Sequence, residues 1–435
     1  MHYRLVTGLV MAMFGASTAL AADLLDDLLA VPGSSADSIQ TFGFVEGAAA
    51  RTYAGTDHWS KLRLRVEAGA SGSLGEGVRW RFLGRADADH AYVIEDDIYP
   101  LDVRRDQRSG ASIREAYLDV PAGSWELRLG RQQIVWGEMV GLFFADVVSA
   151  RDMREFVLPD FDQMRIPQWA ARAEYFGEDD FHGEVLWVPV ATVDDIGEPG
   201  ADFYAFRPDL PVPARIRDQE TPPSRLGHGN FGLRAGKLVA GWDMTGFYYN
   251  SVDVAPTYYF DPTDFSFTPR HDRIQQLGAT VSKDLGSMVL KAEAVYTDGR
   301  KFNTRRVGAE DGLYESDTLD YAVGLDLPFD SGLRINTQVF GRRSLALDSG
   351  AVVDANEAGG TVLVSQEFGD ALEAEVLVVT GFNRGDYMVR PKLTWTPDGN
   401  WRLRAGIDAF GGDEGGLFGR FDTSDRLYLE ARRSF

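Results

Sequence analysis

From Gln40 to Phe435 the chain alternates apolar and polar residues with a period of two, interrupted by turn-forming residues. That period sends successive side chains to opposite faces of a strand. The charged residues keep to one face. In 59–72, Leu62, Leu64, Val66 and Ala68 alternate with Lys61, Arg63, Arg65 and Glu67. In 317–328, Leu319, Tyr321, Val323, Leu325 and Leu327 alternate with Asp320 and Asp326. In 400–411, Trp401, Leu403, Ala405 and Ile407 alternate with Arg402, Arg404 and Asp408. If the charged face met mid-bilayer lipid, each Lys or Arg would cost about 2–4 kcal/mol. Several such residues would exceed a whole fold's net stability of about 5–15 kcal/mol. The alternation therefore requires water on one side of the sheet and admits lipid on the other.

The spacing predicts eighteen strands, over 40–53, 59–72, 76–89, 111–121, 123–132, 168–177, 180–190, 226–236, 239–250, 271–284, 287–298, 317–328, 331–343, 357–369, 371–382, 385–397, 400–411 and 424–435. Sixteen is the alternative count. Most runs reach the roughly 9–11 tilted residues that a bilayer requires. Their connections alternate short and long. The long ones occupy 90–110, 133–167, 191–225, 251–270, 299–316, 344–356 and 412–423. Short turns at one rim and long loops at the other are the asymmetry of an outer-membrane barrel. The fold class expected is all-β: a transmembrane, antiparallel, up-and-down β-barrel over residues 40–435.

The last run, Ser424 to Phe435, ends on an aromatic residue and resembles the closing strand of bacterial outer-membrane barrels, which is read by the barrel assembly machinery. Leu427, Leu429 and Phe435 are expected to face lipid, and Arg426, Glu430 and Arg432 the lumen. Arg433 falls on the lipid face near the chain end, where it can snorkel to headgroups. Trp59, Trp125, Trp169, Trp242, Trp395 and Trp401 lie near strand boundaries, as interfacial aromatic girdles do.

Residues 1–21 read as a secretory signal peptide: Arg4, an apolar run from Leu5 to Leu20, then the small-x-small site Ala19-Leu20-Ala21. Residues 22–39 are expected to be a periplasmic leader, in which Leu24, Leu25, Leu28 and Leu29 would make one face of a short helix; a disordered leader is the alternative. Mean hydropathy of −0.22 is too polar for a helical membrane protein, but suits strands with one wet face. With no cysteine there are no disulfides or thiolate metal sites. A net charge of −22 argues against nucleic acid as a partner.

The candidate pore-lining residues are Arg63, Arg65, Arg79, Arg81, Arg128, Arg390, Lys392, Arg402 and Arg404. Rows of arginine without matching carboxylates would attract anions; cross-strand pairing of charge is the alternative. Loop 133–167 is half apolar and too hydrophobic to extend into water, so it is expected to fold toward the lumen and narrow it. Arg151, Asp152, Arg154 and Glu155 would then form a charged cluster at the constriction. Catalysis is disfavoured. The histidines lie near loops or strand ends, without a Ser/His/Asp constellation or an H-E-x-x-H motif, and no cofactor is implied.

The run G-R-Q-Q-I-V-W-G-E (Gly130 to Glu138), followed by D-V-V-S-A-R-D-M-R-E-F-V-L-P-D-F and R-I-P, resembles proteobacterial outer-membrane proteins described only as a domain of unknown function. The G-R-Q element is also similar to polyphosphate- and alginate-type porins. The resemblance implies a barrel in outer-membrane lipid. It also implies an association, in some members, with RND-type inner-membrane exporters that move hydrophobic or lipid-like compounds. It supplies no catalytic residues. The expected function is a channel passing small, anionic or amphipathic solutes by diffusion. The alternative is a component of lipid or hydrophobic-compound transport with a periplasmic or inner-membrane export partner.

Overall fold

The computed structural model describes residues 39–75, 77–139, 144–206 and 214–435. The signal segment and nearly all of the leader lie outside these residues. Eighteen strands form one antiparallel sheet. They are β1 (Gln40–Thr52), β2 (Trp59–Leu74), β3 (Val78–Asp89), β4 (Ser109–Ala122), β5 (Trp125–Gln132), β6 (Gln168–Phe176), β7 (Phe181–Val190), β8 (Asn230–Val239) and β9 (Trp242–Val252). The second half holds β10 (Arg273–Asp284), β11 (Val289–Asp298), β12 (Thr318–Pro328), β13 (Leu333–Ser344), β14 (Asn356–Phe368), β15 (Leu372–Gly381), β16 (Asp386–Trp395), β17 (Trp401–Gly411) and β18 (Arg426–Ser434). Each strand pairs with its neighbour in sequence. β18 returns to β1, from Phe44 opposite Ser434 to Thr52 opposite Arg426, so the sheet is closed. Closure removes the free edges that an open sheet would present.

The expected strands are those found, with shifted boundaries. The largest shift is at β8 and β9. Residues 226–228, expected in a strand, form a 3-10 turn, and β8 begins at Asn230. At its other end Val239 faces Trp242 across Ala240-Gly241, both at positive φ (51° and 78°). Such two-residue turns match the twist of paired strands. The alternation of apolar residues continues through the turn, which hid it.

Apolar side chains stand on the outer face and charges on the inner one. Leu427 and Leu429 are 53% and 54% exposed, whereas Arg426 between β17 and β1 is 3% exposed. The same division holds on β12, where Leu319, Tyr321 and Val323 are exposed and Asp320 is buried. Arg433 lies opposite Trp401 and Val45 near the chain end. Trp125, Trp169 and Trp395 are exposed at strand ends, and the Lys283 ammonium sits 4.7 Å over the Trp242 ring.

The long loops carry structure of their own. Loop 90–110 contains helices Ala91–Ile94 and Leu101–Gln107. Strands Thr257–Asp261 and Ser266–Arg270 pair as a hairpin. The wall itself is uneven. β5 has 8 residues and β6 has 9. β4 pairs with β3 as far as Ser109, but its pairing with β5 stops at Ala116 opposite Arg131.

Candidate functional site

On the inner face of β2, β1, β18, β17 and β16 the register stacks charged residues in rows. One row runs Arg65, Glu46, Arg432, Arg402. The next runs Arg63, Ala48, Glu430, Arg404, and a third Lys61, Ala50, Tyr428, Gly406, Lys392. Glycine at 406 is a requirement of close approach: a Cβ there would lie 2.5 Å from the Tyr428 ring. Small residues at 48, 50 and 406 leave long cations room to lean across the wall.

Those rows hold more cations than carboxylates, and loop 133–167 supplies two of the missing carboxylates, Glu155 and Asp160. Glu155 accepts from Lys61 Nζ at 2.5 Å, Arg63 Nη1 at 2.9 Å and Arg426 Nη2 at 3.2 Å. Asp160 accepts from Arg404 Nη1 at 2.6 Å. The backbone joins in: Leu158 O accepts from Arg390 at 2.8 Å, and Asp162 O from Arg114 at 2.8 Å. Gln163 Oε1 accepts from Arg65 at 3.1 Å and Arg85 at 2.6 Å. Segment 155–163 is thus tied to inward-facing side chains of β2, β3, β4, β16, β17 and β18.

Of the two readings of the arginine rows, these contacts favour cross-strand pairing over rows without matching carboxylates. Arg65 pairs with Asp87 at 2.5 Å, Arg128 with Asp119 at 2.6 Å, and Arg79 with Glu126 at 2.7 Å. Arg81 pairs with Glu115, Arg390 with Asp408 at 2.7 Å, and Lys392 with Glu375 at 2.7 Å. Facing residues on adjacent strands lie close enough for opposite charges to pair directly, and desolvation penalises a charge left alone. Arg402 is the exception: it has no ion-pair partner among the described residues, and its Nη2 is buried without a hydrogen bond. Arg63 Nε, Arg404 Nε and Arg426 Nη1 are likewise buried without acceptors. Buried donors in this state mark a place for water or an anion.

The four loop residues expected to cluster at a constriction are divided. Arg151 pairs with Asp194 at 3.2 Å, and Arg154 with Asp152 at 2.6 Å and Asp195 at 3.3 Å. These three therefore lock the loop to the β7–β8 connection, and only Glu155 meets the wall cations. Glu46, Lys61, Asp160, Gln163 and Arg426 join the site in addition. Glu155 is legible in the sequence as a charge of a lumen-directed loop, whereas Asp160 could be found only by knowing which segment the wall approaches.

The start of the loop is held by apolar packing. Ile134, Trp136, Val147 and Val148 are buried against Leu186, Val188, Phe247, Tyr249 and Val295. Trp136 Nε1 donates to Glu184 at 3.0 Å, and its ring lies 5.2 Å from that of Phe247. Glu293 on β11 accepts from the backbone of Glu138, Met139 and Ala145. Beside the loop is a cavity of about 860 Å³. Met153, Phe156 and Phe161 of the loop, and Phe340, Leu363 and Met388 of the wall, give it apolar surface; Arg342, Arg390 and Lys392 also line it, as do Asp320 and Glu375, the partners of Arg342 and Lys392.

Away from the cavity lining, three loops meet at a buried histidine. His58 Nε2 contacts the Asp202 carboxylate at 3.1 and 3.2 Å, and Tyr99 OH donates to the same carboxylate at 2.7 Å. Burial pulls the His58 imidazole down, but the hydrogen bond and charge of Asp202 outweigh it and raise it above its ordinary value.

A family model described as a protein of unknown function, DUF1302, matches residues 76–324. Among solved structures the chain is similar to the outer-membrane protein OpdK of Pseudomonas aeruginosa, at 10% identity and a TM-score of 0.52 over 92% of this chain and 99% of that one. It is also similar to OccK8 (OprE) of the same organism, at 11% identity and 0.54 over 92% and 98%. OccAB4 of Acinetobacter baumannii matches at 10% and 0.54 over 93% and 100%. At these identities the likeness is one of fold. No curated protein matches the chain.

Proposed function

This chain belongs to the DUF1302 family of proteins of unknown function, and on that premise we propose that it forms a diffusive channel in the bacterial outer membrane. The solutes are small, with an anionic group on an apolar body. The observation that carries this reading is the cavity beside loop 133–167, apolar over much of its surface and lined as well by Arg342, Arg390 and Lys392, with Asp320 and Glu375 beside the first and last. Eighteen strands enclose an aqueous lumen too wide for wall side chains to fill, and here a loop takes up part of that width. The unpartnered donors of Arg63, Arg402, Arg404 and Arg426 offer an anion successive places to bind as it passes. Among the solved structures of similar fold is OpdK with vanillate. Vanillate is a small aromatic carboxylate, and it has the chemistry that this cavity would accept.

On this reading Glu155 and Asp160 sit where a solute's carboxylate would otherwise meet the wall, so loop 133–167 sets both the bore and the charge seen by the solute. Planar-bilayer recording on the purified protein tests the proposal. Discrete conductance steps are expected, with a reversal potential in a salt gradient that favours anions. Absence of current from a folded protein, including one shortened between residues 139 and 144, would sink it.

A further inference from the structure

The barrel wall is interrupted between β4 and β6. β5 and β6, of 8 and 9 residues, end at Gln132 and Gln168, which face each other. They fall at or below the roughly 9–11 residues that span a bilayer. After Gln132 the chain turns inward, where Ile134 and Trp136 are buried. β4 continues upward alone. Residues 109–115 pair with β3 on one side. On the other side, among the described residues, they make no backbone hydrogen bond to another element. Residues 109–113 are exposed. A free edge at this height is foreign to a lipid-embedded barrel, whose backbone groups are otherwise all paired.

At the foot of the interruption stands Arg131. Its cross-strand neighbours are Ala116 and Trp169, and Trp169, Leu129 and Leu118 are exposed on the outer face. Arg128 and Gln132 point the other way, the first to Asp119 and the second fully buried. Arg131 therefore projects outward. It has no ion-pair partner among the described residues, and its Nε is buried without an acceptor. A guanidinium on the lipid face without a carboxylate in reach is complementary to an anion that comes from outside the chain. Ile113 and Val135, both exposed, flank it with apolar surface. Behind the free edge a cavity of about 60 Å³, lined in part by Ser109, Gly110, Lys61, Arg63 and Glu155, leads to the loop clamp.

We propose that this interruption is a lateral portal through which an amphiphile with an anionic head passes between the bilayer and the lumen, its head on Arg131 and its chain against Trp169, Leu129 and Ile113. The proposal rests on the channel reading, since the portal opens into the same lumen. It differs in giving the solute an entrance through the wall.

The test uses the full protein in phospholipid vesicles and two fluorescent probes of equal chain length, an alkyl sulfate and a neutral alkyl glycol. Ala111→Trp fills the edge from outside: Ala111 is exposed and stands opposite Ala86, between the inward-facing Arg85 and Asp87, so the barrel should tolerate it. Ala111→Phe serves as a second, smaller filling variant should the first fail to fold. Filling the edge should lower entry of both probes about ten-fold, while Arg131→Gln lowers only the sulfate, about five-fold, because it removes charge and little volume. Potassium chloride conductance should stay within about two-fold of wild type in all of them, because the lumen is untouched. Sulfate entry unchanged by folded filling variants would overturn the portal and leave the channel standing. Loss of tightly bound phospholipid in Arg131→Gln without a change in probe entry would also overturn it, and would make Arg131 an anchor for bilayer lipid. No conductance in wild type would instead remove the channel reading.

Discussion

Lys61 on the second strand and Glu155 on the long loop meet at 2.5 Å, with the lysine 8% and the glutamate 17% exposed. Two more cations, Arg63 and Arg426, share the carboxylate, so one loop side chain neutralises a wall that would otherwise repel itself.

Glu155→Gln should release that clamp. Breaking a buried ionic group by removing one partner costs about 3–5 kcal/mol, and the segment holding it should move off the wall. Single-channel recording should show a larger conductance, by about two-fold, and a stronger preference for anions as Lys61, Arg63 and Arg426 lose their counter-ion. Conductance and selectivity equal to wild type would separate Glu155 from the permeation path.

Arg402→Ala combined with Arg404→Ala should weaken anion preference. Arg402 carries unpaired positive charge and Arg404 holds Asp160; without them the lower rows approach neutrality. The reversal potential in a salt gradient should move toward zero or to the cation side. If wild type prefers cations and the double variant does not differ, the basic rows do not govern selectivity.

Trp136→Ala tests the apolar anchor. The indole is 1% exposed and packed between Phe247 and Tyr249; replacing a buried tryptophan by alanine costs about 3–5 kcal/mol. The loop start should loosen while the barrel persists. Limited proteolysis should then cut within 133–167 at least several-fold faster, with strand content by circular dichroism unchanged.

The buried histidine where three loops meet makes the outer loops sensitive to pH. Because Asp202 holds His58 above its ordinary value, the folded protein binds a proton there where the unfolded chain has released it. The stabilisation is therefore complete below about pH 6.5 and is lost as pH rises through the raised folded value. Protection from hydrogen exchange in residues 53–58 and 198–204, taken relative to the intrinsic rate at each pH, should fall as pH rises above about 6.5. His58→Gln should show low protection throughout and no such fall.

The closed barrel was legible in the sequence because its periodicity repeats in every strand, and one misread turn, at Ala240-Gly241, moved boundaries without moving a face. Which face met water followed from charge alone. The site was less legible for a physical reason. Alternation says that Arg63 and Arg404 point inward, but not that Glu155 and Asp160, about 90 and 240 residues away, arrive between them. Local pattern reports which side of a strand a residue occupies, whereas neutralisation depends on loop closure over long distances. Arg151 and Arg154 show the same limit: they are neighbours of Glu155 in sequence, yet their partners Asp194 and Asp195 belong to another loop.

The clamp on Glu155 draws its cations from β2 and from β18, close to the two ends of the barrel sequence. Those strands are brought to either side of β1 only when β18 pairs with it. A chain still being assembled, with that seam open, has no complete socket for the loop. The clamp on Glu155 is therefore completed only by closure of the seam, and a barrel that has failed to close holds its loop by fewer ties.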